Sequence, residues 1–392
     1  MNDMRRTVLW SVFGFSLLML WDGYLRHTGQ PSMFAPAPAA SAVAADAASA
    51  ASAAVTAASG AVPSATAAAA VAASGASAPA ALPREVVVVE TDTLRASIDS
   101  VGGNIVKLEL LKHTDQDDRS KPITLLNQTP EHTQVAQSGL VAAGATLPDH
   151  TTPMKVLSTE RKLADGADAL EVKLESAPQG GVQRLLTYRF PRGAYLVDVK
   201  QEVVNQGASA IRPQVYVQLQ RDGHVPSSSS FLAGPTSYTG SAFYTAEAKF
   251  QKVDFKHIEE GKAEFSKSAD NGWVALVQHY FATAWLNTAQ APRDFFARKV
   301  GPNLYTVGML FNVGDVAPGQ SKAVNTQLYL GPQEEKKLEA IAPGLELVKD
   351  YGWVTILAKP LFWLLTRSTP CFTTGVGRSS PWWCCSRLLS TG

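Results

Sequence analysis

The strongest constraint on this chain is a long series of short apolar runs separated by turn residues, which extends from residue 84 to residue 332. The clearest run is 214–220, where Val215, Val217 and Leu219 occupy alternate positions. Alternation with a period of two places apolar side chains on one face of a strand. Turn sequences flank this run, Asn-Gln-Gly at 205–207 and Arg-Asp-Gly at 221–223.

The same pattern recurs along the region, and amphipathic helical patterns are almost missing from it. Many short strands joined by turns favour antiparallel pairing and a two-layer arrangement. We therefore predict a mainly β fold, a large antiparallel sandwich. The predicted strands are 86–89, 94–99, 105–110, 169–174, 183–190, 195–204, 214–220, 273–279, 280–286, 304–311 and 323–330.

Charge and cysteine content exclude several classes of protein. The chain has 392 residues, 35 Lys and Arg against 34 Asp and Glu, and a net charge of +1. Near-neutrality argues against a highly charged nucleic-acid binder, so we expect no nucleic-acid partner. The three cysteines all follow residue 370. Core burial, and not disulfide bonding, must therefore stabilise the predicted sandwich.

The N-terminal residues 1–29 have the composition of a membrane anchor. Residues 7–21 carry no charge, and Arg5 and Arg6 precede them. Extended to Leu25, the helix would be roughly 28 Å long, close to the hydrocarbon thickness of a bilayer. Arginines before the run place the N-terminus on the cytoplasmic side. An uncleaved transmembrane helix is the leading prediction, while a signal peptide cleaved near Ala35-Pro36-Ala37 and a buried core helix remain alternatives.

The composition of residues 30–83 is typical of a linker. From 35 to 83, 27 of 49 residues are alanine, and Asp46 is the sole charge. Pro36, Pro38, Pro63 and Pro79 interrupt this tract, and it has no stripe of large apolar residues to bury. We interpret it as a tether between the anchor and the sandwich.

The predicted sandwich carries no common catalytic signature. His-Glu-x-x-His, Cys-x-x-Cys, Gly-x-Ser-x-Gly and the phosphate-binding loop are all absent from the sequence. His279, between two apolar runs, is more typical of a hydrogen-bonded structural histidine than of a ligand or catalyst. Asp115, Asp117 and Asp118 are more typical of a solvated loop than of a cation site. We expect no enzyme activity, no metal and no cofactor.

Residues 333–365 change character again. The first part, to about residue 350, alternates charged and apolar residues and predicts short amphipathic helices broken at Pro343-Gly344. These helices could lie along a membrane surface or cap the open edge of the sandwich. Residues 351–365 are strongly apolar, interrupted by Lys359-Pro360, and resemble a chain entering the bilayer.

Several uncommon strings occur together in this chain. They are Gly-Trp-Val-Ala-Leu-Val-Gln-His-Tyr-Phe-Ala-Thr-Ala-Trp at 272–285, Lys-Phe-Gln-Lys-Val at 249–253, Asp-Tyr-Gly-Trp at 350–353 and Lys-Pro-Leu at 359–361. Together with the arginine-led anchor, the linker and the Gly102-Gly103 pair, they resemble the YidC-type membrane protein insertases of Gram-negative bacteria. The resemblance covers about residues 1–365.

The resemblance implies an inner-membrane protein with residues 30–350 in the periplasm. It implies a periplasmic β-super-sandwich at 84–332 and a five-helix membrane core, of which this chain contains the start. Such a protein inserts and folds inner-membrane proteins alone or with the Sec translocon. The implied partners are nascent membrane proteins, the translocon and the lipid bilayer. The family-motif residues are Trp273, Gln278, His279, Tyr280, Trp285, Tyr351, Gly352, Trp353, Lys359 and Pro360.

A second function class fits the predicted fold. Large sandwiches often bind carbohydrate in a groove lined by aromatic side chains. Trp273, Tyr280 and Trp285 could line such a groove in a membrane-anchored binding module or sugar-active enzyme, although core packing is the commoner role of such residues.

The tail at 366–392 departs from the family pattern, and Arg367 and Arg378 do not match its groove motif. A one-base shift of reading frame would turn Trp383 and Cys384 into valine and Cys385 into leucine. The shifted tail then reads as an apolar helix with one interior lysine. We expect an out-of-frame tail and an inactive product, with a genuine divergent tail as the alternative.

Sequencing the gene across the codons for residues 360–392 tests this expectation. Restoring one lost base should produce an apolar segment of about 20 residues. If no alternative frame encodes such a segment, the frameshift interpretation is wrong.

Overall fold

The computed structural model describes residues 83–115, 118–129, 132–224, 238–287 and 289–349. The predicted anchor at 1–29, nearly all of the linker, the apolar run at 351–365 and the tail lie outside these residues. Within the described ranges, no helix has the length and apolar character needed to span a membrane.

Eighteen strands and three short helices make up the described part of the chain. The strands are β1 Val86–Glu90, β2 Leu94–Asp99, β3 Ile105–Thr114, β4 Pro122–Gln128, β5 Thr133–Val141, β6 Met154–Val156, β7 Ala169–Ser176, β8 Val182–Pro191, β9 Leu196–Asn205, β10 Gln214–Asp222, β11 Gly240–Thr245, β12 Lys249–Val253, β13 Ser268–Ala269, β14 Trp273–Val277, β15 Phe281–Leu286, β16 Arg293–Gly301, β17 Leu304–Asn312 and β18 Ser321–Pro332. The helices are α1 Phe255–Glu259, α2 Glu335–Ile341 and a 3-10 helix Leu345–Val348.

These strands form two nine-stranded sheets in which all strand pairs are antiparallel. Sheet I has the order β1-β2-β3-β4-β5-β10-β17-β16-β13, and sheet II has the order β12-β11-β14-β15-β18-β9-β8-β7-β6. The inner faces of the sheets share one continuous apolar core. The predicted mainly β, antiparallel sandwich is confirmed.

Strand β10 shows how the inner faces are built. Val215, Val217 and Leu219 are fully buried in the core between the sheets, on the face that alternation predicted. Full burial of such a side chain stabilises the fold by about 1.5–3 kcal/mol relative to exposure. Repeated along many strands, this burial holds the sandwich together, and the described residues contain no cysteine.

The predicted strands at 273–279 and 280–286 are each too long at the point where they meet. β14 ends at Val277 and β15 begins at Phe281, so Gln278, His279 and Tyr280 form the hairpin turn. The Gln278 N–H donates to the Phe281 carbonyl across the turn at 2.9 Å. His279 is exposed at this tip, between the two strands, so the predicted strand 273–279 extends two residues too far. The structural role of His279 stays a prediction.

The sequence does not indicate strand β5, and the reason is physical. It is buried at eight of its nine positions, so its two faces do not differ in polarity. The strand lies between β4 and β10 within sheet I. A strand buried on both faces carries no alternating signal.

The Gly102-Gly103 pair joins the two sheets. Gly102 has φ +75°, and its carbonyl accepts from Arg184 Nη1 at 3.2 Å, while the Gly103 carbonyl accepts from the Tyr188 hydroxyl at 2.7 Å. A Cβ at Gly102 would lie 2.0 Å from the His150 carbonyl oxygen. Both backbone conformation and close approach therefore require glycine here.

Gly102→Ala should destabilise the protein by at least about 3 kcal/mol, since strain and a backbone clash add together. Gly144→Ala is the matched control, because Gly144 has φ +74° and open space around the Cβ position. The control should cost about 1–2 kcal/mol from conformation alone. Urea unfolding measures the free energy of unfolding of both variants. Equal losses in the two variants would contradict the close approach of Gly102 to the His150 carbonyl.

Buried His150 should make stability depend on pH. It is 3% exposed, its Nδ1 lies 2.5 Å from the Tyr216 hydroxyl, and burial lowers its pKa to about 4. The unfolded chain, with a pKa near 6.5, binds more protons between these values, so stability falls as pH drops from about 6.5 to 4. The loss attributable to this group is on the order of 3 kcal/mol.

Unfolding of the His150→Gln variant at a series of pH values tests this expectation. The variant should lose the part of the slope between pH 6.5 and 4 that His150 contributes. His257→Gln, at an exposed position of α1, should keep it. An unchanged slope in His150→Gln would show that other groups cause the acid sensitivity.

Candidate functional site

The described part of residues 333–365 lies on the outer face of sheet II. Helix α2 and the 3-10 helix bury Leu338, Leu345 and Val348 against this face. They form a second apolar cluster, separate from the core between the sheets. The predicted helices therefore pack on the sandwich, and they cover a face and not the open edge.

Small side chains of sheet II allow this segment to approach closely. Ala242 of β11, Ala275 of β14, and Ala282 and Ala284 of β15 are fully buried in the outer cluster. Their inward neighbours Val274, Leu276 and Trp285 belong to the main core. Strands β14 and β15 are thus packed on both faces, which gives them a continuous apolar sequence.

An aromatic clamp holds the middle of the segment. Trp273 Nε1 donates to the Pro343 carbonyl at 3.0 Å, and the Trp273 ring stacks on Tyr244 with centroids 5.5 Å apart. Gly344 has φ +75°, and a Cβ there would lie 2.1 Å from the Tyr244 ring. The Pro343-Gly344 break predicted from sequence is therefore the point where the segment contacts the clamp formed by Trp273 and Tyr244.

A glutamine fastens the start of the segment to the hairpin turn. Gln333 Nε2 donates to the carbonyls of Gln278 at 2.7 Å and Phe281 at 2.9 Å, and its backbone N–H donates to the Tyr280 carbonyl at 2.9 Å. Gln333 is itself almost fully buried. The segment is consequently fixed both at its start and at the Pro343-Gly344 break.

A small pocket adjoins the clamp. It has a volume of about 220 Å³, and Tyr244, Trp273, Leu286 and Pro343 form its apolar walls. Asn271 and the side chains after β15 supply its polar rim. The pocket belongs to the junction between sheet II and the C-terminal segment.

The other half of the outer face of sheet II is charged. Glu171, Arg189, Asp198 and Gln327 form a row across β7, β8, β9 and β18. Arg189 lies 3.2 Å from the Asp198 carboxylate, which also accepts from Gln327 Nε2 at 2.9 Å. This row lines an open groove of about 370 Å³. The charges pair across strands, as expected of a solvated sheet face.

The predicted site residues occupy different environments. Trp273 lies in the outer cluster, whereas Trp285 is fully buried in the main core and donates to the Gln218 carbonyl at 3.0 Å. Tyr280 is 54% exposed at the hairpin tip, with the His279 ring 3.9 Å away. Gln278 is half-buried beside them. Five further predicted residues, Tyr351, Gly352, Trp353, Lys359 and Pro360, lie outside the described residues.

These positions do not support an aromatic sugar-binding groove. Trp273, Tyr280 and Trp285 face the outer cluster, solvent and the inner core respectively, so they share no surface. The sequence alone did not show that the three aromatic residues face different surfaces. Adjacent strand residues point to opposite faces, and the turn at 278–280 interrupts the alternation between the two strands.

Of the three aspartates in the acidic loop, Asp115 and Asp118 are among the described residues and Asp117 is not. Asp118 accepts from the Ser120 hydroxyl at 2.5 Å and pairs with Lys121 at 3.0 Å. Among the described residues, no group of three or more His, Cys, Asp or Glu side chains could hold a metal ion. The Asp118 contacts agree with the expected solvated loop.

The architecture defines the class of protein as a β-super-sandwich with a helical segment packed on one outer face. Residues 86–364 match the family model described as the YidC periplasmic domain, and the chain belongs to this family. The resemblance found in the sequence is confirmed.

Curated relatives extend this match. The chain is 46% identical over 363 residues to a protein of Janthinobacterium sp. (strain Marseille) named membrane protein insertase YidC, a match that covers 93% of this chain and 63% of that protein. It is 45% identical over 365 residues to the protein of the same name from Herminiimonas arsenicoxydans, with the same coverage. The chain thus spans somewhat less than two thirds of the length of these relatives.

A solved structure of a galactose mutarotase related enzyme from Lactobacillus acidophilus is similar over 63% of this chain and 97% of its own, with 11% identity and a TM-score of 0.40. A similarity at this level supports no conclusion about function.

The clamp predicts a specific effect of Gly344→Ala. The added methyl group must displace the Tyr244 ring or the segment, so residues 335–348 should become more accessible to hydrogen exchange and proteolysis. Gly261→Ala is the control, since Gly261 has φ +68° with open space around it. Equal protection of 335–348 in both variants would contradict the clamp.

Proposed function

We propose that this chain belongs to an inner-membrane insertase, which assists the insertion and folding of membrane proteins. Membership of the YidC periplasmic domain family and the names of the relatives support this function. One structural observation carries the proposal furthest. The segment at 335–348 is fixed to sheet II immediately before the apolar run at 351–365.

The clamp gives the sandwich a mechanical role in this proposal. Leu338, Leu345 and Val348 anchor the segment, and Trp273 and Gln333 hold it by hydrogen bonds. A membrane helix that starts at residue 351 would then emerge from a rigid body. The sandwich would fix where and in which direction the membrane core begins.

The proposed activity is physical and involves no covalent step. Burial of an apolar segment of about 20 residues in lipid supplies the driving force, and the insertase lowers the barrier for its polar flanks. We propose no enzyme activity and no cofactor. Nascent membrane proteins are the proposed clients, with the Sec translocon and the lipid bilayer as further partners.

The proposed domain organisation follows the sequence. Residues 1–29 form the anchor with a cytoplasmic N-terminus, 30–83 the linker, 84–332 the periplasmic sandwich, and 333–365 the docked segment and the second transmembrane helix. Residues 366–392 are proposed to be out of frame, which would leave this product without insertase activity.

Complementation of an insertase-depleted strain tests the function and the tail together. The frame-restored allele should rescue growth and the insertion of small membrane proteins, while the 392-residue allele should not. Rescue by the 392-residue allele would overturn the proposal about its tail. Failure of a stable, frame-restored protein to rescue would argue against insertase function.

The mechanical role has its own test in the frame-restored allele. Gly344→Ala should slow membrane insertion of small clients at least severalfold, because it releases the segment from the clamp. Gly261→Ala should behave as the unmodified protein does. Immunoblots establish equal amounts, and equal insertion rates in the two variants would refute the role of the clamp.

A further inference from the structure

Three arginine side chains are buried among the described residues: Arg184, Arg221 and Arg293. Removing a guanidinium from water is costly unless its N–H groups find acceptors. The hydrogen bonds of these three residues therefore indicate which of them is satisfied by the protein alone.

Arg184 and Arg293 are satisfied. Arg184 donates to Gln201 Oε1 at 3.1 Å, to the Gly102 carbonyl at 3.2 Å and to Ser138 Oγ at 2.7 Å. Arg293 donates to five backbone carbonyls of the surrounding loops, those of Asp270, Gly272, Asn287, Ala289 and Ala291. Both side chains act as structural connectors.

Arg221 is different. It is 3% exposed, and only its Nη2 has an acceptor, the His224 carbonyl at 3.1 Å. Its Nε and Nη1 have no hydrogen-bond partner, and its guanidinium carbon lies 5.8 Å from the centroid of the Phe255 ring. Its sequence neighbour Asp222 is already engaged by the N–H groups of Thr133 and His224 and by His132 Nδ1.

Two further unsatisfied groups lie on the facing inner sides of the two sheets, Gln134 on sheet I beside Arg221 and Thr283 on sheet II. Gln134 is the register partner of Arg221 across β5 and β10, and its Nε2 has no partner. Its Oε1 accepts from Gln278, which places the hairpin turn above this strand pair. Thr283 of β15 lies between that turn and Trp285, which contacts Gln218 of β10. The Thr283 hydroxyl also lacks a partner.

The register of β5 with β10 places Arg221 beside Gln134, and the contacts of Gln278 and Trp285 with sheet I bring the Thr283 part of β15 over the same end of the sandwich. Arg221 supplies two donors, Gln134 one and Thr283 a hydroxyl that can donate, while no carboxylate among the described residues forms a salt bridge with Arg221. Burial lowers the pKa of the Arg221 guanidinium, and the charge of the neighbouring Asp222 carboxylate opposes this shift without cancelling it. The set is complementary to a compact anion that carries several acceptor atoms.

We propose that Arg221, Gln134 and Thr283 bind a small oxyanion, a carboxylate or a phosphate, inside the end of the sandwich beside the Gln278–Tyr280 turn. The planar fork of Arg221 suits two acceptor oxygens of such an ion. Gln134 and Thr283 complete the shell. The exposed turn, with Tyr280 54% accessible, marks the side nearest to solvent.

Thermal unfolding of the full 392-residue chain in neutral detergent tests the site. Melting temperature is measured in sodium phosphate, sodium acetate and sodium chloride at equal ionic strength, followed by calorimetric titration with inorganic phosphate and with acetate. We expect saturable stabilisation by one of the two oxyanions over chloride. The phosphate and acetate arms distinguish the two classes of ligand.

Two substitutions locate the binding at these residues. Thr283→Val keeps the shape and removes the hydroxyl, so affinity should fall about tenfold, the effect of one hydrogen bond to a charged group. Gln134→Glu supplies an internal carboxylate beside Arg221. This variant should be more stable than the unmodified chain without oxyanion and should no longer respond to phosphate or acetate. Arg189→Gln, on the exposed outer face, is the control and should keep the full response.

The result that overturns the proposal is equally specific. If the unmodified chain melts at the same temperature in all three salts and titration shows no heat of binding, the site holds no oxyanion. A response that persists in Gln134→Glu would place the anion elsewhere on the protein. Because none of these measurements involves membrane insertion, the outcome is independent of the proposed insertase function.

Discussion

Burial of sheet II on both of its faces is the constraint on which this structure depends. The inner face packs against sheet I, and strands β11, β14 and β15 also bury their outer face beneath residues 335–348. A strand with two buried faces must be apolar throughout and small where another element approaches closely. The sequence Trp-Val-Ala-Leu-Val of β14, with Ala275 at its centre, meets both demands.

The double burial links the fold to the proposed function. A sheet with only one buried face would leave the C-terminal segment free to move relative to the sandwich. Here Leu338 and Leu345 are buried as completely as the side chains of the main core. The segment is thus part of the folded body, as the proposed mechanical role requires.

The sequence predicts strands and turns correctly where polarity alternates and where turn residues are present. The alternation of Val215, Val217 and Leu219 predicts β10. The pair Gly102-Gly103 predicts a turn, and in the structure this turn connects the two sheets by hydrogen bonds. The sequence does not indicate β5, because both faces of this strand are buried. It also does not indicate the turn that places His279 at the surface. The sequence also does not indicate the charged row from Glu171 to Gln327, because β18 lies far along the chain from β7, β8 and β9.

The sequence by itself determined the class of fold, the division into anchor, linker, sandwich and C-terminal segment as expectations, and the family, because these follow from periodicity, composition and uncommon local strings. Tertiary structure alone decided which residues meet. The contact of Trp273 with Pro343 spans 70 residues, and the pairing of Arg221 with Gln134 depends on the register of two strands. Periodicity assigns a side chain to a face but not to a partner on that face. That choice is made by sheet order and by the packing of one layer on the next.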